Sequence, residues 1–363
     1  MTNDAGPEKI ICPSLRFYKK AGEAVRRLLD EKDLIDRRGK PYSDDTFLCL
    51  PLTEDPDDET IRKIEEYVRE TADRYGISPD PGAPERIVQT GPDAFEARPE
   101  ELTVEKILGY SPAYEMIGDI AVIDGKDAEN AAGIAEAILR VHPAIRTVLL
   151  SEGPVKGEFR TRDLRFIAGI EKTETLHKEY GCRYNIDLGK AYFTQRLSTE
   201  RARILSLIRK GDFVVDMFAG VGPYSILIAK RAGPETVIAN DKNPDAVRLL
   251  KQNIEENRVR NIIPLEEDAK DLGERYAGKA DHVLMNLPHN ACDFLDTAVT
   301  IAKPGGVIHY YAMTEEHDLF DGSVELIRKA AARQGREIEV LGKRAVRSYA
   351  PHQYNICLDV KIL

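Results

Sequence analysis

The spacing of apolar residues changes twice along the chain, and each change marks a change of architecture. Residues 1–98 open on a strand-like run (IICPSL), followed by a helical stretch (AGEAVRRLLDEKDL), a polar turn (RRGKPYSDD) and a second strand (TFLCLPL). A longer helix follows, DETIRKIEEYVRETADRYG, with Ile61, Ile64 and Tyr67 spaced to share one face. Prolines and glycines then crowd SPDPGAPERIVQTGPDAFEARPEE, which reads as a linker holding a boundary between positions 77 and 101.

Residues 99–190 carry a strand-like IGDIAVI, an alanine-rich helix (AENAAGIAEAILRV) and a strand (TVLLSE). Two stretches of period-2 alternation follow, near 164–170 and 174–186. From residue 191 onward strands alternate with helices: FVVD, PYSILIAKRA, TVIAND, PDAVRLLKQNIEENRV, IIPLEED, HVLMNLP, DFLDTAVTIA and GGVIHYYAM. A last helix and two strands, EIEVLGKRAV and YNICLDVKI, complete the pattern. Such alternation predicts a mostly parallel, doubly wound sheet covered on both faces, here closed by a C-terminal antiparallel hairpin. The expected fold class is α/β: a Rossmann-like domain over 191–363, preceded by two small α+β domains, 1–98 and 99–190.

Composition narrows the class. Of 363 residues 42% are hydrophobic and 31% charged, which suits a soluble chain with a real core. No apolar run approaches the roughly 20 residues of a membrane helix. The N-terminus, MTNDAGPEKII, lacks the basic-then-apolar order of a secretory signal, so a cytoplasmic protein is expected. Cys12, Cys49, Cys182, Cys292 and Cys357 lie far apart with no CxxC spacing, so neither a metal site nor a disulfide framework is expected. The net charge of −10 argues against a nucleic-acid partner until its distribution is read. Positions 156–210 hold 13 Lys/Arg against 7 Asp/Glu, a local +6 that leaves −16 for the remainder. A positive stretch in a negative chain suits contact with phosphate at one place.

The turn after the first strand of the third region reads DMFAGVGP, residues 216–223. Glycines let the backbone approach a ligand with no Cβ in the way, and Pro223 suits the start of a helix. Gly220 and Gly222 match the first two glycines of a GxGxxG fingerprint, but Ser225 stands at the third. A carboxylate at Asp216 would repel a pyrophosphate and suit an ammonium or hydroxyls. The next strands end at Asp241, placed to accept from a ribose diol, and at Asp268, placed to accept from an adenine amino group. Acids at three successive strand ends fit S-adenosylmethionine, which is zwitterionic and carries no phosphate. Asp216, Phe218, Gly220, Gly222, Asp241 and Asp268 are the expected cofactor residues, joined by Arg201, Asn286 and Pro288.

The fourth strand ends in Asn286-Leu287-Pro288, similar to the Asn/Asp-Pro-Pro motif of methyltransferases that act on planar nitrogens. Ahead of the cofactor region, AYFTQRLSTERARI offers Tyr192 and Phe193 as stackable surface, Arg196 as a cation and Glu200 as a carboxylate opening a helix. His289 and His309, near strand ends, are expected to be structural.

Taken together, GEFRTR, AYFTQRLSTERARI, VVDMFAGVGPYSI, MNLPHNACDFLD, GGVIHYY and VRSYAP resemble the archaeal and eukaryotic tRNA (guanine-N1-)-methyltransferases, which modify the guanosine 3′ of the anticodon, position 37. The resemblance covers all three regions and is densest from about residue 156 to the end. It implies a first domain that docks on the outer corner of the tRNA, a second that supports the target base and a third of the class I methyltransferase fold. It also implies that Arg160, Glu200 and Asn286 surround a flipped guanine, with Tyr192, Phe193 and Arg196 as substrate-binding residues. Gln195 departs from relatives that have proline there, which bears on loop rigidity more than on chemistry.

The chemistry follows from guanine itself. N1 carries a proton at neutral pH and is a poor nucleophile until a base removes it, and a carboxylate base works best when burial raises its pKa toward neutrality. Glu200 is the candidate base. Arg160 would stabilise charge building on O6, and Asn286 would offer donor and acceptor to the base edge. Unstacking the base costs a few kcal/mol. Phosphate contacts from the basic stretch, with Arg344 and Arg347, are expected to compensate. A monomer acting on tRNA without a metal is expected. The competing readings are an aminocarboxypropyl transferase of the wybutosine pathway, a catalytically silent tRNA-binding protein and a small-molecule methyltransferase. The set Arg160, Glu200 and Asn286 weighs against the first, the strand-end acids against the second and the two extra domains against the third.

Overall fold

The computed structural model describes residues 8–75, 88–99, 102–153, 157 and 161–363. The chain divides at Leu102/Thr103 into two compact units, each described by itself.

In the first unit, alternating apolar residues put Leu15 and Phe17 of β1 (Lys9–Tyr18) on one buried face. Helix α1 (Gly22–Glu31), the short β2 (Tyr42–Ser43), β3 (Phe47–Pro51), α2 (Asp58–Arg74) and β4 (Val88–Glu96) follow. The strands form an antiparallel sheet in the order β2-β3-β1-β4. Val25 and Leu29 of α1 and Ile64 and Val68 of α2 pack on the β1–β3 face. Strand β4 corrects the linker expectation, since it lies within the Pro/Gly-rich stretch. Its Pro92 faces Pro13 across the ladder at the sheet edge, where a missing N–H costs little. Phe95 anchors it.

The second unit opens with α3 (Val104–Leu108), β5 (Tyr114–Ile117), β6 (Ile120–Ile123), α4 (Ala131–Val141), β7 (Thr147–Ser151) and β8 (Leu164–Gly169), forming a sheet in the order β5-β6-β7-β8 under α4. The run IGDIAVI, expected as one strand, is the end of one hairpin arm and the start of the next. Gly118 reverses the chain there at φ +58°, a conformation that L side chains rarely adopt. The second alternating stretch is likewise a hairpin, β9 (Glu174–Glu179) and β10 (Cys182–Asp187), turning at Tyr180 and Gly181 with positive φ.

The rest is α5 (Ser198–Leu207), β11 (Phe213–Asp216), α6 (Pro223–Arg231), β12 (Thr236–Asn240), α7 (Pro244–Asn257), β13 (Ile262–Leu265), α8 (Leu272–Tyr276), β14 (Ala280–Met285), α9 (Leu295–Ile301), β15 (Ala302–Glu315), α10 (Asp321–Arg333), β16 (Ile338–Ala350) and β17 (Gln353–Ile362). Seven strands pair in the order β13-β12-β11-β14-β15-β17-β16. The first five are parallel, and β17 and β16 close the sheet as an antiparallel hairpin. This is the Rossmann-like α/β architecture anticipated from the strand–helix rhythm. Two buried asparagines of α7 bind the open edge of β10 as a strand would. Asn253 accepts from the Asn185 N–H at 2.6 Å, Asn257 accepts from the Arg183 N–H at 2.9 Å, and both donate back to the carbonyls. The β9–β10 hairpin is thereby fastened to the large sheet's helix layer.

Candidate active site

Strand order reverses between β11 and β14, and beyond their carboxyl ends opens a cavity of about 480 Å³. The β11–α6 loop borders it with Phe218 and Gly220, the ends of β12 and β13 with Asp241 and Asp268, and the turn after β14 with Asn286 and Pro288. Gly220 takes φ +56° and donates its N–H to Asp241 Oδ2 at 2.7 Å. The other oxygen of Asp241 accepts from the Asn243 N–H at 2.9 Å. Burial pushes the Asp241 carboxyl above its ordinary pKa, and the backbone donors partly oppose that. Asp268 caps the turn behind it through the Lys270 N–H at 3.0 Å, with Lys242 Nζ 3.5 Å away. Phe218 meets Phe294 edge-on at 5.0 Å. The Pro288 carbonyl accepts from the Met313 N–H at 2.9 Å, which pins the Asn286–Pro288 turn to β15.

Two of the expected cofactor residues stand back from the cavity. Asp216 does not border it. It is buried beneath the loop, where Ser225 Oγ donates to its Oδ2 at 2.7 Å, and burial raises its pKa to about 7. Ser225 thus supplies a hydroxyl where a dinucleotide fingerprint has its third glycine. Gly222 does not border the cavity either. It starts α6 at φ +89°, and a Cβ there would lie 2.5 Å from Leu250 Cδ1.

The opposite wall comes from the segment ahead of α5, with Tyr192, Phe193, Thr194 and Leu197, and from Arg201 of α5 itself. Arg201 is buried and grips Glu179 of β9 through Nε at 2.7 Å and Nη2 at 2.5 Å, while Nη1 donates to the Thr194 carbonyl at 3.2 Å. Its guanidinium lies over Phe193, itself packed against His177. Glu200 is buried and does not border the cavity. Its Oε1 accepts from Arg203 Nη2 at 2.7 Å and from the Tyr311 O–H at 2.8 Å. Tyr311 in turn lies 3.4 Å from the hydroxyl of Tyr224, which does border the cavity. Arg196 is exposed and borders a second cavity of about 540 Å³, with Lys126, Arg162, Arg347 and Tyr349. Tyr192 and Thr194 border both cavities. Arg160 lies outside the described residues.

Sequence reading missed Tyr224, Tyr311, Arg203 and Asn355, the last of which borders the first cavity. Arg203 sits in the TERAR run, two residues past Arg201, but its partner Asp359 is 156 positions away.

Residues 175–341 match the TRM5/TYW2 methyltransferase domain, 99–173 the TYW2 N-terminal domain and 15–61 the tRNA methyltransferase 5 N-terminal domain. The chain is 38% identical over 345 residues to tRNA (guanine(37)-N(1))-methyltransferase Trm5b of Pyrococcus abyssi, which spans 94% of this chain and 97% of that relative. It is 34% identical over 248 residues to a tRNA(Phe) (4-demethylwyosine(37)-C(7)) aminocarboxypropyltransferase of Methanocaldococcus jannaschii, across 68% of this chain and 97% of that relative. Among solved structures, aTrm5 in its complex with tRNALeu is similar with a TM-score of 0.65 and 34% identity, over 96% of this chain and 99% of that one. With matches in both compact units and a relative covered almost end to end, the chain belongs to the tRNA (guanine(37)-N1)-methyltransferase family.

Proposed function

We propose that this protein transfers a methyl group from S-adenosylmethionine to N1 of guanosine 37 in tRNA. The observation that carries the reading is the crevice at the strand-order reversal, lined by Gly220, Asp241 and Asp268, in a chain aligned with Trm5b along 94% of its length. Its chemistry fits the donor. Asp241 suits a ribose diol, Asp268 an amino group and Phe218 an adenine face, and Gly220 leaves room for close approach. When bound, the donor supplies an electrophilic methyl group carried on sulfur.

This chain's own residues do the rest. Asn286 holds the base edge and fixes its orientation. Tyr192 and Phe193 receive the base, Arg196 stands beside them on the second cavity, and in the same reading Arg160 offsets the charge that builds on O6. Glu200 takes the N1 proton. The hydroxyls of Tyr224 and Tyr311 link the cavity wall to that carboxylate, with Tyr311 donating to it. Around the second cavity Arg162 is paired with Glu115, while the exposed Arg196 and the half-buried Arg347 suit phosphate. In the same reading residues 1–98 dock on tRNA, 99–190 support the base and 191–363 hold the donor. The protein acts as a monomer in the cytoplasm, and among the described residues no helix is long and apolar enough to cross a membrane.

Aminocarboxypropyl transfer is the second reading. The match to that relative leaves about a third of this chain uncovered, whereas the Trm5b match runs nearly throughout, which favours methyl transfer. Transcripts with G37 and methyl-labelled donor test it. Label should enter the G37 transcript and not its A37 counterpart, and the product nucleoside should gain one methyl group. A gain of an aminocarboxypropyl group, or equal labelling of A37, overturns the reading. Glu200→Gln should abolish most turnover while donor binding survives.

A further inference from the structure

Strand pairing sets His309 of β15 opposite Asp359 of β17, and β14 brings His282 alongside. This row of side chains meets α5. Arg203 bridges two carboxylates, with Nη2 2.7 Å from Glu200 Oε1 and Nη1 2.5 Å from Asp359 Oδ2. His309 Nδ1 lies 2.6 Å from Asp359 Oδ1, and its Nε2 lies 3.0 Å from His282 Nδ1. His282 Nε2 is 3.3 Å from Asp212 Oδ2. His309 and Glu200 are buried, and Arg203, Asp359, His282 and Asp212 are 12–17% exposed.

Glu200 and Asp359 share the Arg203 guanidinium, and Arg344 Nε stands 3.8 Å from Glu200 Oε2. Burial works to raise the Asp359 carboxyl, but His309 and Arg203 beside it hold it below its ordinary pKa. The contacts run in one unbroken row: His309 to Asp359, Asp359 to Arg203 and Arg203 to Glu200.

We propose that Arg203, Asp359 and His309 are positioning residues that fix the orientation of the Glu200 carboxylate for its part in methyl transfer. The inference rests on the reading of Glu200 as the base. Arg203 and Tyr311 together direct Oε1, and Asp359 and His309 hold Arg203 in place.

The test uses the full-length protein with G37 tRNA. Asp359→Asn and His309→Leu should lower kcat at least tenfold, with KM for tRNA and donor within about twofold of wild type. His309→Asn, which keeps a donor where Nδ1 lies, should regain most of the loss. Wild-type turnover in His309→Leu, or equal impairment in His309→Asn and His309→Leu, overturns the proposal. If Asp359→Asn does not fold, the His309 pair of variants decides. Glu200→Gln separates this inference from its foundation. Full turnover in that variant removes the base role, whereas an inactive Glu200→Gln beside an unimpaired His309→Leu removes the positioning role alone.

Discussion

The two walls of the crevice are built differently. On the strand-end side, short side chains accept from backbone N–H groups and a hydroxyl: Asp241 from Gly220 and Asn243, Asp268 from Lys270, and Asp216 from the Ser225 O–H. On the α5 side, carboxylates are paired with guanidinium groups: Arg201 with Glu179 of β9, and Arg203 with both Glu200 and Asp359 of β17. The strand-end acids range from buried Asp216 to partly exposed Asp268, whereas Glu179 and Glu200 are both buried, and the means of tolerating burial differ. A carboxylate without a cation moves toward its protonated form, as Asp216 does, whereas a guanidinium keeps Glu179 below its ordinary pKa despite burial. The first wall is a local construction. The second joins segments far apart in the chain.

The sharpest way to break the contrast is Arg201→Met. It leaves Glu179 buried without its bidentate partner and should cost about 3–5 kcal/mol, read from urea unfolding. An unchanged midpoint would mean that the α5 wall does not depend on its ion pairs. Next comes Asp216. Its folded pKa, about 7, lies above the ordinary 3.8, so between those values the folded chain binds a proton that the unfolded chain releases. Stability from this group is present below about pH 4 and is lost as pH rises toward 7. Asp216→Asn should remove that loss, gaining about 2–4 kcal/mol on wild type between pH 4 and 8. A constant difference across that range would place the carboxylate in contact with a cation after all.

Glycine substitutions should resolve packing from ligand approach within the same loop. Gly222→Ala places a Cβ against Leu250 at positive φ and should cost about 2–3 kcal/mol in thermal or urea unfolding. Gly220→Ala finds nothing nearer than the Tyr192 carbonyl at 3.7 Å, so it should cost about 1 kcal/mol in stability and act mainly on donor affinity. The smallest effect on stability is expected from Asp241→Asn, which weakens the grip on Gly220 and on the donor. Calorimetry should show roughly tenfold weaker donor binding, about 1.4 kcal/mol, with the unfolding midpoint nearly unchanged.

The same contrast explains what could be read before folding. The strand–helix rhythm after residue 212 and the closing hairpin were legible because each element declares itself within its own residues. So were Gly220, Asp241 and Asp268, which act through neighbours in the loop or on the next strand. The inward turn of Asp216 was not legible, because it depends on Ser225 presenting its hydroxyl from the first turn of α6. Arg203 looked like any charge on a helix face until the fold brought Asp359 to it across 156 positions. Strand β4 was hidden by its own composition, since an edge strand needs few apolar residues and tolerates proline. The hairpin inside IGDIAVI was hidden by a single glycine whose backbone sign cannot be read from residue type.

Strand β17 lies between β15 and β16, although β16 precedes it in the chain. Strand β17 is hydrogen-bonded along both edges, to β15 on one side and β16 on the other. The strand that carries Asn355, Cys357 and Asp359 therefore has no free edge, and the acid that steadies Arg203 is held in place from two sides.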